Sequence, residues 1–321
     1  MSNEPKAGYR TVDGLQIRYA DSDGSASQYL VLTSPWPESL HAFDRMWPRL
    51  SGIARLLAID LPGFGRSERR IDLLSPMAMS EFLIRILDEW DIRDPHLVCP
   101  DVGTPAALFA AASHPGRIRS LVVGGGATAY PLQVDGALKE LIEAPDIDAF
   151  RSQDPRALIQ GLMATLGPDA PDGDIVADYV ESNMGDRFAE AARYVRSYPD
   201  QPPLLAGLLP KIFTPVQIIT GRNDPLVPVA NAEFLHTRLP NSRLDVLDAG
   251  HLAWEEASGE YGAIIAAWVN GGYLAGSTGM SRTLGALGRF GVLGGDARQG
   301  DAGGDTQLFE RVAEVPVDGM G

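Results

Sequence analysis

Short runs of Val, Leu and Ile recur along this chain with helical patterns between them, and that alternation constrains its fold more than any other feature. The runs fall at 29–33, 56–60, 97–99, 121–123, 216–220 and 244–247. Runs so brief and so apolar suit strands covered on both faces. Between them, Met79, Leu83, Ile86, Leu87 and Trp90 share one helical face. Residues 106–112 are mainly small, which lets a helix lie close to a sheet. Phe234, Leu235 and Leu239, then Ile264, Ile265 and Trp268, mark two later helices. The alternation predicts an α/β fold, a mostly parallel sheet with helices on both faces. Residues 9–20 read as a hairpin turning at Asp13-Gly14.

The alternation pauses over 127–209, an acidic, proline-containing stretch with helical pieces at 137–142 and 187–195 and no buried-strand run. It reads as a helical cap inserted after the sixth strand, over the strand ends where ligands bind. Residues 1–126 and 210–270 then form the core. From 271 to 321, fourteen of fifty-one residues are glycine, and an interior glycine costs a helix about 1 kcal/mol relative to alanine. This segment is expected to be a disordered tail. The formal charge of -15 argues against nucleic acid or an anionic membrane as partner. One cysteine, Cys99, permits no internal disulfide and fits a reducing compartment. No charged-then-apolar leader opens the chain, and no apolar run reaches the ~18 residues of a membrane span. The cytoplasm is the expected compartment. No metal-ligand spacing or phosphate-cradling loop is evident, so no metal or cofactor is expected.

Chemistry concentrates at three strand ends. Asp101 stands in Leu97-Val98-Cys99-Pro100-Asp101-Val102-Gly103-Thr104-Pro105. This small-x-nucleophile-x-Gly frame makes a sharp strand-to-helix corner that lifts a side chain above a sheet. A carboxylate attacking an acyl group there would give an anhydride, an uphill product. Against a saturated carbon bearing a leaving group it gives an alkyl ester that water can later cleave. Asp224, in Gly221-Arg222-Asn223-Asp224-Pro225, follows the 216–220 run. His251, in Asp248-Ala249-Gly250-His251-Leu252, follows the last. A carboxylate on a strand-end loop before proline is well placed to orient an imidazole, and Gly250 permits the tight turn that presents His251. His41, His96, His114 and His236 have no such setting.

Over residues 9–270 the chain resembles the α/β-hydrolase superfamily, and within it the aspartate-nucleophile branch of epoxide hydrolases and haloalkane dehalogenases. The resemblance rests on Ser34-Pro35-Trp36-Pro37-Glu38-Ser39, Asp60-Leu61-Pro62-Gly63-Phe64-Gly65-Arg66-Ser67, and the Asp101, Asp224 and His251 turns. It departs where His-Gly-x-Pro is usual and this chain has Ser34-Pro35-Trp36-Pro37. It departs again where Gly-His-Asp is usual and this chain has Cys99-Pro100-Asp101. The resemblance implies Trp36 and Val102 as backbone oxyanion donors and a cis Trp36–Pro37 bond. It further implies a covalent Asp101 ester hydrolysed by water that His251 activates.

Epoxide opening also needs an acid, and the branch uses cap tyrosines. Of the four here, Tyr198 is the first candidate and Tyr130 the second, with Trp36 a further substrate contact. The expected substrate is a small, largely apolar molecule; a homodimer stays open. Val102 stands where dehalogenases commonly place a tryptophan, which weighs against a halide. The alternatives are haloalkane dehalogenation, a lactone or ester hydrolase using Asp101 as general base, and a non-hydrolytic lyase, cyclase or receptor on the same scaffold.

Overall fold

The sheet begins with a hairpin, β1 (Ala7–Val12) and β2 (Leu15–Asp21), paired antiparallel through the turn at Asp13-Gly14. Six further strands follow: β3 (Tyr29–Thr33), β4 (Arg55–Ile59), β5 (His96–Pro100), β6 (Ser120–Gly124), β7 (Val216–Gly221) and β8 (Ser242–Leu247). They pair in the order β1-β2-β4-β3-β5-β6-β7-β8; β2 meets β4 antiparallel, and every pair from β4 to β8 is parallel. This computed structural model describes residues 5–24 and 26–274. All the expected runs are strands, and the sheet is the predicted α/β arrangement.

Both faces are covered because side chains alternate across the strands. Val31, Leu97 and Cys99 pack on one side with Met79, Phe82 and Leu83 of the helix Pro76–Glu89. Leu30, Leu32 and Val98 pack on the other with Tyr261, Ile265 and Trp268 of the helix Ser258–Val269. Ser75 caps the first of these helices, accepting from the Ala78 N–H at 3.4 Å, with Pro76 in its first turn. The helix Gly103–Ser113 is buried from Gly103 to Ala111. Its small residues let it pack closely against both the sheet and the Pro76–Glu89 helix.

The chain leaves β3 toward β4 on one side, then returns to pair β5 with β3 on the other. Such a reversal opens a crevice at the strands' C-terminal ends. The loop after β3 carries Trp36, and the corner after β5 carries Asp101. Between β6 and β7 the described residues form helices alone: Gly136–Glu143, Asp148–Arg151, Pro155–Ala164, Gly173–Asn183, Arg187–Val195 and Gln201–Leu208, with short 3-10 turns. One of them, Gly173–Asn183, is bound tightly to the core. Its Asp178 takes both Arg18 terminal nitrogens at 2.8 Å and the Ser39 hydroxyl at 2.6 Å. Its Asn183 donates to the Pro37 carbonyl at 2.6 Å. The glycine-rich segment expected as a tail lies outside the described residues beyond Leu274.

Candidate active site

Asp101 adopts φ +51°, a left-handed conformation that costs a non-glycine residue energy and persists only where its surroundings enforce it. Those surroundings are visible. The Asp101 N–H donates to the Gly124 carbonyl at 2.8 Å, and its carbonyl accepts from the Thr104 N–H at 3.0 Å. The Thr104 hydroxyl accepts from the Gly124 N–H and lies 2.9 Å from the Cys99 carbonyl. A Cβ at Gly126 would stand 2.5 Å from the Asp101 carbonyl oxygen, and one at Gly103 would stand 2.3 Å from Thr33 Oγ1. The corner therefore needs glycine at both positions. Beneath it Cys99 is fully buried, its thiol pushed up to about 12 by that burial.

The two carboxylate oxygens of Asp101 have different surroundings. Oδ2 accepts from the Trp36 N–H at 2.7 Å. Oδ1 faces His251, whose Nε2 is 3.7 Å away. Val102, named by resemblance as the second donor, is buried directly after Asp101; among the described residues its N–H makes no bond to that carboxylate. Its carbonyl instead accepts from the Tyr194 hydroxyl at 2.7 Å. The Trp36–Pro37 bond is cis. The Trp36 ring stacks on Phe188 with centroids 4.9 Å apart. Its indole Nε1 is enclosed and meets no partner among the described residues.

His251 is bound from behind. Its Nδ1 lies 2.8 Å from Asp224 Oδ2, while Asp224 Oδ1 accepts from the N–H groups of Leu226 at 2.8 Å and Val227 at 2.9 Å. Burial would depress the imidazole, but the Asp224 and Asp101 carboxylates outweigh it and hold the group well above its usual range. The structure thus brings Asp101, His251 and Asp224 together from three separate strand ends. Trp254 adds an edge contact to the His251 ring, and its own N–H donates to the buried Glu38 at 2.6 Å.

A cavity of about 440 Å³ opens above Asp101. Trp36, Phe188 and Tyr198 surround its floor, and leucines of the insertion, among them Leu138, Leu141, Leu158 and Leu162, form one wall. Among the described residues Tyr198 is the only tyrosine of the lining. It stands in the turn between the helices Arg187–Val195 and Gln201–Leu208. Its hydroxyl, unlike those of Tyr179 and Tyr194, makes no hydrogen bond to a described residue. Burial, then the Asp101 charge, pushes its phenol well above the ordinary range, so it stays protonated at neutral pH.

Tyr130 corrects the second expectation. It is 53% exposed and lines no part of the cavity. Asn231 Oδ1 holds the N–H groups of Thr128 and Ala129, both at 2.9 Å, and the chain beyond leads the Tyr130 ring to the surface. The leucine wall was missed, although Leu138/Leu141 and Leu158/Leu162 carry the three- and four-residue spacing of a shared helix face. Asn223, Asp248 and Glu256 also line the cavity and had no signal beyond their nearness to Asp224 and His251. Among the described residues no cluster of three His, Cys, Asp or Glu could hold a metal ion, and no helix is long and apolar enough to cross a membrane.

Comparison with known proteins agrees with the architecture. The family description "alpha/beta hydrolase fold" matches residues 30–258. A pimeloyl–acyl carrier protein methyl ester esterase of Neisseria meningitidis is 28% identical over 256 residues, spanning 77% of this chain and 95% of the relative. Among solved structures, Cfl2 from Burkholderia cenocepacia matches with a TM-score of 0.72 at 19% identity, covering 83% of this chain and 96% of that one. The epoxide hydrolase VrEH1 from Vigna radiata matches with a TM-score of 0.69 at 16% identity, covering 84% and 99%. At such identities the structural likeness speaks for the fold alone.

Proposed function

The chain belongs to the α/β-hydrolase fold family, and within it we propose that this member opens epoxides through a covalent ester on Asp101. The observation that carries the reading is the division of labour between the two Asp101 oxygens. Oδ1, facing the cavity's imidazole and free of backbone donors, attacks the epoxide carbon as the ring C–O bond breaks. Oδ2, already on the Trp36 N–H, becomes the ester carbonyl oxygen. The departing alkoxide takes the Tyr198 proton, and the imidazolium of His251 restores it.

Ester formation then changes His251. In the free enzyme two carboxylates favour its protonated form; alkylation removes the Asp101 charge, so the imidazole loses its proton more readily. The neutral ring, held by Asp224, takes a proton from water, which attacks the Asp101 carbonyl carbon. Charge gathers on Oδ2, where the Trp36 N–H meets it. Collapse releases the diol and returns the carboxylate. Tyr198 favours an epoxide over a halide, since a phenol can protonate an alkoxide, whereas the enclosed Trp36 indole offers a halide no open donor.

The test is a single turnover of styrene oxide in ¹⁸O-water with enzyme in excess. The label is expected in the Asp101 carboxylate, found by peptide mass, and not in the first diol released. Label in the first diol instead would mean direct attack by water and would overturn the ester.

A further inference from the structure

Apart from the His251 imidazole beside Asp101, the cavity's charge is one-sided. Among the described residues no arginine or lysine lines it. Three carboxylates do: Asp101 at the floor, with Asp248 and Glu256 on the β8 side. The mouth lies where lining residues reach solvent, at Asn223, Pro225, Asp248 and Thr165. Asn223 Nδ2 donates to Asp248 Oδ1 at 3.1 Å, and Glu256 Oε2 accepts from the Gly250 N–H at 2.7 Å, so both acids are held in place. Arg222, next to Asn223, is exposed and outside the lining. The leucines of the insertion line the same cavity. A substrate lying along them with its epoxide at Asp101 has its remote end among leucines and carboxylates.

We propose that this site, taken as the epoxide hydrolase above, selects its substrate by the charge of that remote end. It takes elongated epoxides ending in an alcohol or an ammonium group and discriminates against those ending in a carboxylate or phosphate. Asp248 and Glu256 are the specificity-determining residues. An anionic end would lose its hydration without a cation to replace it and would face like charge at the mouth. An alcohol or ammonium can donate to the same oxygens.

The experiment compares eight-carbon terminal epoxides ending in a primary alcohol, an ammonium or a carboxylate. The carboxylate is expected to show kcat/KM about tenfold below the alcohol, the size of a like-charge contact in a partly screened site. Asp248→Asn and raised salt should each narrow that ratio several-fold. Equal turnover of carboxylate and alcohol, or a ratio untouched by Asp248→Asn, would overturn the proposal. Binding of octan-1-ol, octylammonium and octanoate by calorimetry tests it apart from the chemistry. Octanoate should bind most weakly even if no epoxide is opened, a result that would refute the epoxide reading and leave the charge selection standing. Octanoate binding as tightly as the alcohol would refute the selection whatever the reaction.

Discussion

Replacing Asp224 by asparagine should stall the enzyme as its ester, and the surroundings of this carboxylate say why. Oδ1 accepts two backbone N–H groups, from Leu226 and Val227, while Oδ2 faces His251 Nδ1 at 2.8 Å. An amide in that place must choose which end faces which partner. Turning its NH₂ toward the two N–H groups would leave donors facing donors in a site where the Asp224 side chain is 1% exposed. Each unsatisfied donor costs about 1–3 kcal/mol, so the flip is disfavoured by roughly 2–6 kcal/mol. The amide oxygen therefore stays on the backbone and the NH₂ donates to Nδ1. That fixes the imidazole proton on Nε2, the atom that must accept one from water.

The Asp101 side chain keeps its place on the Trp36 N–H in this variant and can still attack. The expected record is a rapid burst of one epoxide equivalent per enzyme, then hydrolysis slowed about 10²–10⁴-fold, the usual value of a positioned general base. Intact-protein mass should show the adduct accumulating, and a Gly221-to-Val227 backbone unchanged by crystallography would exclude misfolding. Steady turnover of Asp224→Asn at the parent rate, or a variant that forms no adduct at all, would refute the assignment of the imidazole as base.

Three further outcomes follow from the same structure. Tyr198→Phe should slow ester formation about 10²-fold or more while leaving hydrolysis of the formed ester near its parent rate, read by stopped-flow; Tyr130→Phe, with its exposed ring, should change neither step. Gly126→Ala should destabilise the fold by about 1–3 kcal/mol in urea and lower turnover as well, because its methyl group would overlap the Asp101 carbonyl; a variant of full stability and activity would show that the corner is not pinned there. Burial raises the Glu255 carboxyl to about 7, so the folded state binds its proton more tightly than the unfolded chain. Stability from this group is complete below its usual value of 4.5 and is lost as pH rises through about 7. The melting temperature should therefore fall across that window, and Glu255→Gln should flatten the fall; an unchanged slope would remove Glu255 as its cause.

The sheet was legible because buried strands leave a mark no other element leaves, short apolar runs at helix-length intervals. Positions of Asp101, Asp224 and His251 were legible for a related reason: each follows such a run within four residues, so finding the strand narrows the search to its loop. The cap tyrosines were not. Tyr130 and Tyr198 have similar sequence surroundings, each before a proline, and what separates them is Asn231, a residue about a hundred positions from Tyr130 that fixes Thr128 and Ala129. Nothing near Asp178 announced its partnership with Arg18 either, since that pairing spans 160 positions and exists only once the insertion has docked. Local pattern gives strands and their ends; the orientation of an inserted segment depends on contacts that no local window contains.

Any protein that admits epoxides admits alkylating agents, and soft sulfur nucleophiles ordinarily suffer first. This chain has a single sulfhydryl, and it lies sealed two residues ahead of Asp101. With its ionisation pushed to about 12, almost none of it is thiolate at neutral pH, and no reagent reaches it through the packed corner. On the proposed epoxide chemistry, self-inactivation at cysteine is thereby closed off, and the Asp101 carboxylate is left to react alone.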